Sequence, residues 1–151
     1  MGMEIVVRLL KGPAEKKAAA RQVLEALPAW FAYSAPRERY IEEAGDQAVF
    51  AAFGPAGLLG ILAMEPCTQS SAEIAVMGVL PQFHRQGVGR RLVEACQTTC
   101  RQRGMEFLLV KTLDEANPDP GYAKTRAFYR AMGFRPLKRL PELWGRQIPA
   151  W

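Results

Sequence analysis

Apolar positions along this chain change their spacing from segment to segment, and those changes predict its elements. Residues 3–10, MEIVVRLL, form an apolar run closed by the Gly12-Pro13 breaker and read as a strand. From 14 to 26, Ala, Lys and Glu dominate up to Pro28, the composition of a helix. A second, short helix is expected over 36–44, after the aromatic group Trp30, Phe31 and Tyr33. Residues 47–53 and 58–64 are apolar strands joined by Gly54-Pro55-Ala56-Gly57, a hairpin signal. Another apolar strand, 72–80, follows the turn Gln69-Ser70-Ser71. A long amphipathic helix over 87–103 stops at Gly104, where a C-cap glycine belongs. Residues 105–111 read as a strand, 114–121 as an acidic loop containing prolines, and 122–132 as a helix ended by Gly133. Phe134 starts a last strand that Pro136 breaks, and 143–151 leaves one more strand open. The order β-αα-ββ-β-α-β-α-β predicts an α/β fold on a mixed sheet. No segment repeats and no flexible linker divides the chain, so residues 1–151 read as one domain.

Composition narrows the class. Of 151 residues, 49% are apolar and 23% charged, the balance of a soluble globular protein. No apolar run approaches membrane-spanning length and no signal peptide is evident, which makes the cytoplasm the expected location and excludes a membrane partner. Three cysteines cannot all pair, which fits a reducing compartment. Cys96 and Cys100 fall in line with Val88 and Leu92 on one helical stripe and read as small core residues. With a single histidine and no second Cys/His pair, no metal site is expected. The net charge of +5 is uneven: the first 75 residues carry 7 basic and 9 acidic side chains, the remainder 13 and 6. Such a C-terminal excess suits an anionic ligand. Its scatter over several elements, without interleaved aromatics, speaks against nucleic acid.

One stretch has the makings of an anion cradle. VLPQFHRQGVGRRL, from Val79 to Leu92, runs from a strand end through a polar turn into a helix. Gly87 and Gly89 bare the backbone, so several N–H groups can point at one anion, and the helix adds the positive end of its dipole. The spacing fits neither GxGxxG nor GxxxxGK[ST]. Two readings of the glycines stand at this point, a phosphate cradle and a plain tight turn.

Two blocks then resemble the Gcn5-related N-acetyltransferase (GNAT) superfamily. EIAVMGVLPQFHRQGVGRRLVE, residues 73–94, is similar to its strand, pyrophosphate loop and helix. TRAFYRAMGFRPL, residues 125–137, is similar to its FYxxxGF signature. His84 stands where Gln or Arg is usual, and Tyr122 where many members carry Asn. The resemblance implies about six or seven strands, splayed between the fourth and fifth, and about four helices. It implies an acetyltransferase that moves an acetyl group from acetyl-coenzyme A to a primary amine by direct attack in a ternary complex. The alternative is an acyl-coenzyme A binding or sensing module with little catalysis.

By the same resemblance, His84, Arg85, Gln86, Gly87, Val88, Gly89 and Arg90 hold the pyrophosphate, while Met77 and Val79 line the pantetheine arm. Tyr129 matches the tyrosine that points at the coenzyme sulfur, where a phenol can protonate a departing thiolate; the other reading is a core aromatic beside Phe128. Glu73 falls where the histone-acetylating branch keeps a glutamate base, and simple alternation puts it on one face with Ala75, Met77 and Val79. Its other reading is an exposed carboxylate at a strand start. Trp30, Phe31 and Tyr33 occupy the acceptor-side wall, where aromatic faces can hold an ammonium or simply pack. The acceptor itself, small molecule or protein, is left open by these residues. An unfinished C-terminal sheet edge is compatible with a homodimer.

Overall fold

The computed structural model describes residues 3–28, 31, 33–112 and 120–138. The chain divides into two units, Met1–Leu109 and Val110–Trp151.

In the first unit, β1 (Val6–Leu9), β2 (Ala48–Gly54), β3 (Gly57–Pro66) and β4 (Ser71–Val79) pair in sequence order, each antiparallel to the last. The β2–β3 turn forms as its glycines predict, with Gly54 facing Gly57 and Gly57 at φ +120°. β5 (Phe107–Val110), which crosses into the second unit, lies next to β4 in the sheet. The Glu106 and Phe107 amides both donate to the Ser70 carbonyl, just ahead of β4. The two strands therefore start level and run in parallel, which makes the sheet mixed.

Helices cover both faces. α1 (Pro13–Glu25) begins with proline at its first turn, where a missing N–H costs nothing. Its stripe Ala20, Val23 and Leu24, continued by Leu27, packs with Ile41 and Ala44 of α2 (Ser34–Ala44) on Val49, Ala51, Ile61, Ala63 and Val76. The alternate strand residues Phe50, Ala52, Leu62 and Met64 are also buried and point the other way. There α3 (Val88–Gln102) packs on β2, β3 and β4 through Val88, Leu92, Val93, Cys96 and Cys100. The two cysteines are core residues, as their stripe predicts, and burial pushes the Cys96 thiol up to about 12. A Schellman stop ends α3: Gly104 takes φ +77° and the Met105 amide donates to the Cys100 carbonyl at 2.9 Å.

The described residues contain five strands and four α-helices, not six or seven strands. The strand expected from Phe134 does not form within the described residues. α4 (Pro120–Ala131) ends in a second Schellman stop at Gly133, and the Phe134 amide is bound to the Tyr129 carbonyl at 3.0 Å. That amide is unavailable to a ladder, and Pro136 has none to offer. The further strand left open over 143–151 lies outside the described residues.

Candidate active site

β4 departs from simple alternation. Gly60 faces Val79, Ile61 faces Gly78, Leu62 faces Met77 and Ala63 faces Val76; then the register slips, so that Met64 faces Ile74 and Glu65 faces Glu73. Ala75 is the extra residue of a β-bulge. Crossing a bulge reverses which face a residue occupies. Val76 and Leu80 belong to the core under α1 and α2. A Cβ on Gly78 would stand 2.8 Å from Leu27 and 2.9 Å from Val23 of α1. Glu73 shares that α1/α2 face, and Met77 and Val79 turn toward α3. The expected single face for Glu73, Ala75, Met77 and Val79 is thus corrected by the bulge. Glu73 also acquires a neighbour that single-strand periodicity cannot reveal: half-buried Glu65 stands directly across from it and accepts the Gln47 amide Nε2 at 3.0 Å.

Beyond Val79 the chain makes one turn of 3-10 helix, Pro81–Phe83, and enters the glycine turn. Arg85 takes φ +63° and Gly87 φ +83°, so two left-handed residues bracket Gln86. Gly87 is the N-cap of α3 and, having no side chain, caps nothing itself. Alternating left-handed conformations curl successive N–H groups into a concavity, and the first amides of α3 lack intrahelical acceptors. A Cβ at Gly87 would meet nothing within 4 Å, so the glycine is required by its φ and the space over the turn is open. Arg85 and Arg90 are exposed beside it, and the first turn of α3 holds no acid. The His84 ring reaches back to the strand, Nε2 lying 2.7 Å from the Val79 carbonyl. A carbonyl only accepts, so Nε2 carries the hydrogen and ties the turn to the end of β4. This arrangement fits a compact di-anionic group such as a pyrophosphate.

At the corner between α1 and α2 the aromatic group divides. Phe31 packs against the core and meets Tyr40 edge-on at 6.0 Å. Tyr33 is the N-cap of α2 and 79% exposed. Trp30 lies outside the described residues. The corner contains one residue that reasoning from the sequence passes over, Arg37, whose Nη1 donates to the Phe31 carbonyl at 3.4 Å. Its signal is its spacing: 37, 40, 41 and 44 fall on one stripe of α2, and the others are Tyr, Ile and Ala.

In the second unit Tyr129 is 7% exposed on α4, with Phe128 and Phe134 each 5.4 Å away edge-on. Burial pushes its hydroxyl up to about 12. A phenol so placed keeps its proton at neutral pH and remains a donor.

Among the described residues no cluster of three or more His, Cys, Asp or Glu could hold a metal ion, and no helix is long and apolar enough to cross a membrane.

A search of curated proteins gave no match. Among solved structures, the ribosomal-protein-S18-alanine N-acetyltransferase from Escherichia coli is 20% identical with a TM-score of 0.75, over 97% of this chain and 90% of that one. An aminoglycoside acetyltransferase from an uncultured soil metagenomic sample is 19% identical at 0.66, over 90% and 91%. A GNAT family acetyltransferase from Elizabethkingia anophelis, with acetyl-CoA bound, is 14% identical at 0.68, over 93% and 82%. At such identities the likeness establishes the fold. The family model described as an acetyltransferase (GNAT) domain matches residues 43–136, more than half of the chain. The chain belongs to the GNAT acetyltransferase family.

Proposed function

We propose that the chain is an N-acetyltransferase that moves the acetyl group of acetyl-coenzyme A to a primary amine by direct attack in a ternary complex. The left-handed Gly87 turn at the head of α3 carries this reading. The backbone amides from Arg85 to Arg90 grip the pyrophosphate, with His84 bracing the turn and Gln86 and Val88 contributing main-chain groups. Met77–Val79 offers its main chain to the pantetheine arm. Fit to the donor is supported by the open space over Gly87 and by the likeness to a family member with acetyl-CoA bound.

Acetyl-coenzyme A supplies a thioester, an acyl group already activated toward nucleophiles. An alkylamine has a pKa of about 10 and is mostly a non-nucleophilic ammonium ion at neutral pH. Glu73 accepts its proton, directly or through a water. The nitrogen then forms the new C–N bond and the C–S bond breaks. Tyr129 protonates the departing thiolate, which lowers the cost of charge on sulfur. The nitrogen gives up two protons, one that Glu73 passes to solvent and one that restores the Tyr129 hydroxyl, so the products are an N-acetyl amine and a free thiol. Trp30, Phe31 and Tyr33 form the acceptor side.

Calorimetry with coenzyme A, paired with thiol release across a broad amine panel, tests this. Micromolar binding with amine-dependent thiol release is expected. Tight binding without release for any amine would favour the acyl-coenzyme A binding module instead.

A further inference from the structure

α2 sets a charged residue where its packing stripe calls for an apolar one. Ile41 and Ala44 are buried, Tyr40 is half-buried against Phe31, and Arg37 occupies the first position of the same stripe. A guanidinium offers five N–H donors in a planar fork and stays charged at every physiological pH. Here one donor makes a long contact to the Phe31 carbonyl, and the Nε is shielded from solvent with no hydrogen-bond partner among the described residues. A shielded cationic donor left unpaired is costly, so a missing acceptor is implied.

Among the described residues, no acid of α2 is hydrogen-bonded to the Arg37 fork. Glu38, the next residue, gives both oxygens to Arg21 of α1, each at 2.7 Å, and that pairing holds its carboxyl below the usual range. Glu42 is engaged by Lys17 of α1 at 2.8 Å. α1 thus engages Glu38 and Glu42 in its own ion pairs, and Arg37, whose charge also acts on Glu38, keeps its fork beside Phe31. A planar carboxylate fits the fork bidentately, and one guanidinium matches one negative charge.

We propose that Arg37 binds a carboxylate carried by the acceptor, so that the substrate is an amino acid or a close amino-acid analogue, not a di- or polycationic amine. This rests on the α1–α2 corner being the acceptor side, as proposed above. Phe31 and Tyr40 then flank the apolar part of the acceptor.

The test compares the L-amino acids with their amides and decarboxylated amines, using the full chain in the presence of coenzyme A. Affinity is read by calorimetry and kcat/KM by thiol release. At least one acid is expected to exceed its amide by about ten-fold or more in both. Arg37→Gln should bring that ratio close to one, and Arg37→Lys should keep part of it, since lysine retains charge without the fork. An unchanged ratio in Arg37→Gln, or no acid binding above its amide in the parent chain, overturns the proposal. If acids bind with the stated ratio but no thiol is released, acetyl transfer fails while the carboxylate site stands.

Discussion

The turn after β4 and the corner between α1 and α2 are built from different materials. The turn is main chain: left-handed Arg85 and Gly87, the first amides of α3, and a histidine that braces them from the Val79 carbonyl. The corner is side chains: Phe31 on Tyr40, Arg37 on the Phe31 carbonyl, and Arg21 and Lys17 reaching across from α1 to Glu38 and Glu42. A cradle of amides tolerates many side chains and recognises one kind of ligand, because every residue has an N–H in the same place. A corner made of side chains changes its ligand with each substitution. The donor half of an acyltransferase can thus be fixed while the acceptor half varies.

The largest effect should fall on a residue that belongs to the chemistry of neither grip. Tyr129→Phe removes the proposed proton donor and should lower kcat about a hundred-fold or more, with coenzyme A affinity changed by less than about two-fold. If coenzyme A affinity falls and kcat holds, Tyr129 serves the donor grip and the division into grip and chemistry is wrong.

The same tyrosine makes a thermodynamic prediction. Burial holds its hydroxyl at about 12 in the folded chain, against about 10 when unfolded. The folded state keeps this proton longer, so the associated stability is complete below about pH 10 and is lost as pH rises through about 12. Urea unfolding across that window should show a loss of up to about 2–3 kcal/mol attributable to this group. Tyr129→Phe should flatten the slope, and equal slopes in the two proteins would mean that the hydroxyl is not desolvated.

Which parts of this were legible in the sequence follows from how each part is encoded. The α/β order, the Gly54–Gly57 turn and the two helix stops at Gly104 and Gly133 depend on local composition, and each forms where the sequence puts it. The glycine turn was legible for the same reason. The face of Glu73 was not: it depends on a bulge at Ala75, and a bulge is a relation between two strands. The strand expected from Phe134 does not form over the described residues 134–138, where the Phe134 amide is bound by the preceding helix end, a competition that β propensity does not represent. Arg37 was readable in principle, since its place among Tyr40, Ile41 and Ala44 needs only helical spacing. An exposed Tyr33 near a packed Phe31 was not, because neighbouring aromatics look alike in a sequence.

Two glycines separate the halves more finely. Gly87→Ala adds a methyl where nothing lies within 4 Å, so its penalty is the left-handed backbone alone, about 1–2 kcal/mol. Coenzyme A affinity should drop by about ten-fold. Gly78→Ala instead drives a Cβ into Leu27 and Val23 of α1. It should cost about 1–3 kcal/mol of stability by overpacking, and it should move acceptor KM because α1 carries the corner. If both variants changed only coenzyme A affinity, the two halves would not be separable.

Arg85 offers the smallest effect and the finest discrimination. It adopts φ +63°, a conformation that costs a side-chain-bearing residue about 1–2 kcal/mol. Arg85→Gly removes that strain but raises the entropy of the unfolded chain by a comparable amount, about 0.5–1 kcal/mol. Net stability should therefore shift by less than about 1 kcal/mol, measured by urea unfolding. Binding separates the two sources of grip. The guanidinium is exposed and screened by salt; the amide it rides on is retained in glycine. A main-chain cradle predicts a loss of only about two- to three-fold in coenzyme A affinity at physiological salt, shrinking further as salt rises. A loss of about thirty-fold or more would mean that the charge, not the curl of the backbone, holds the donor.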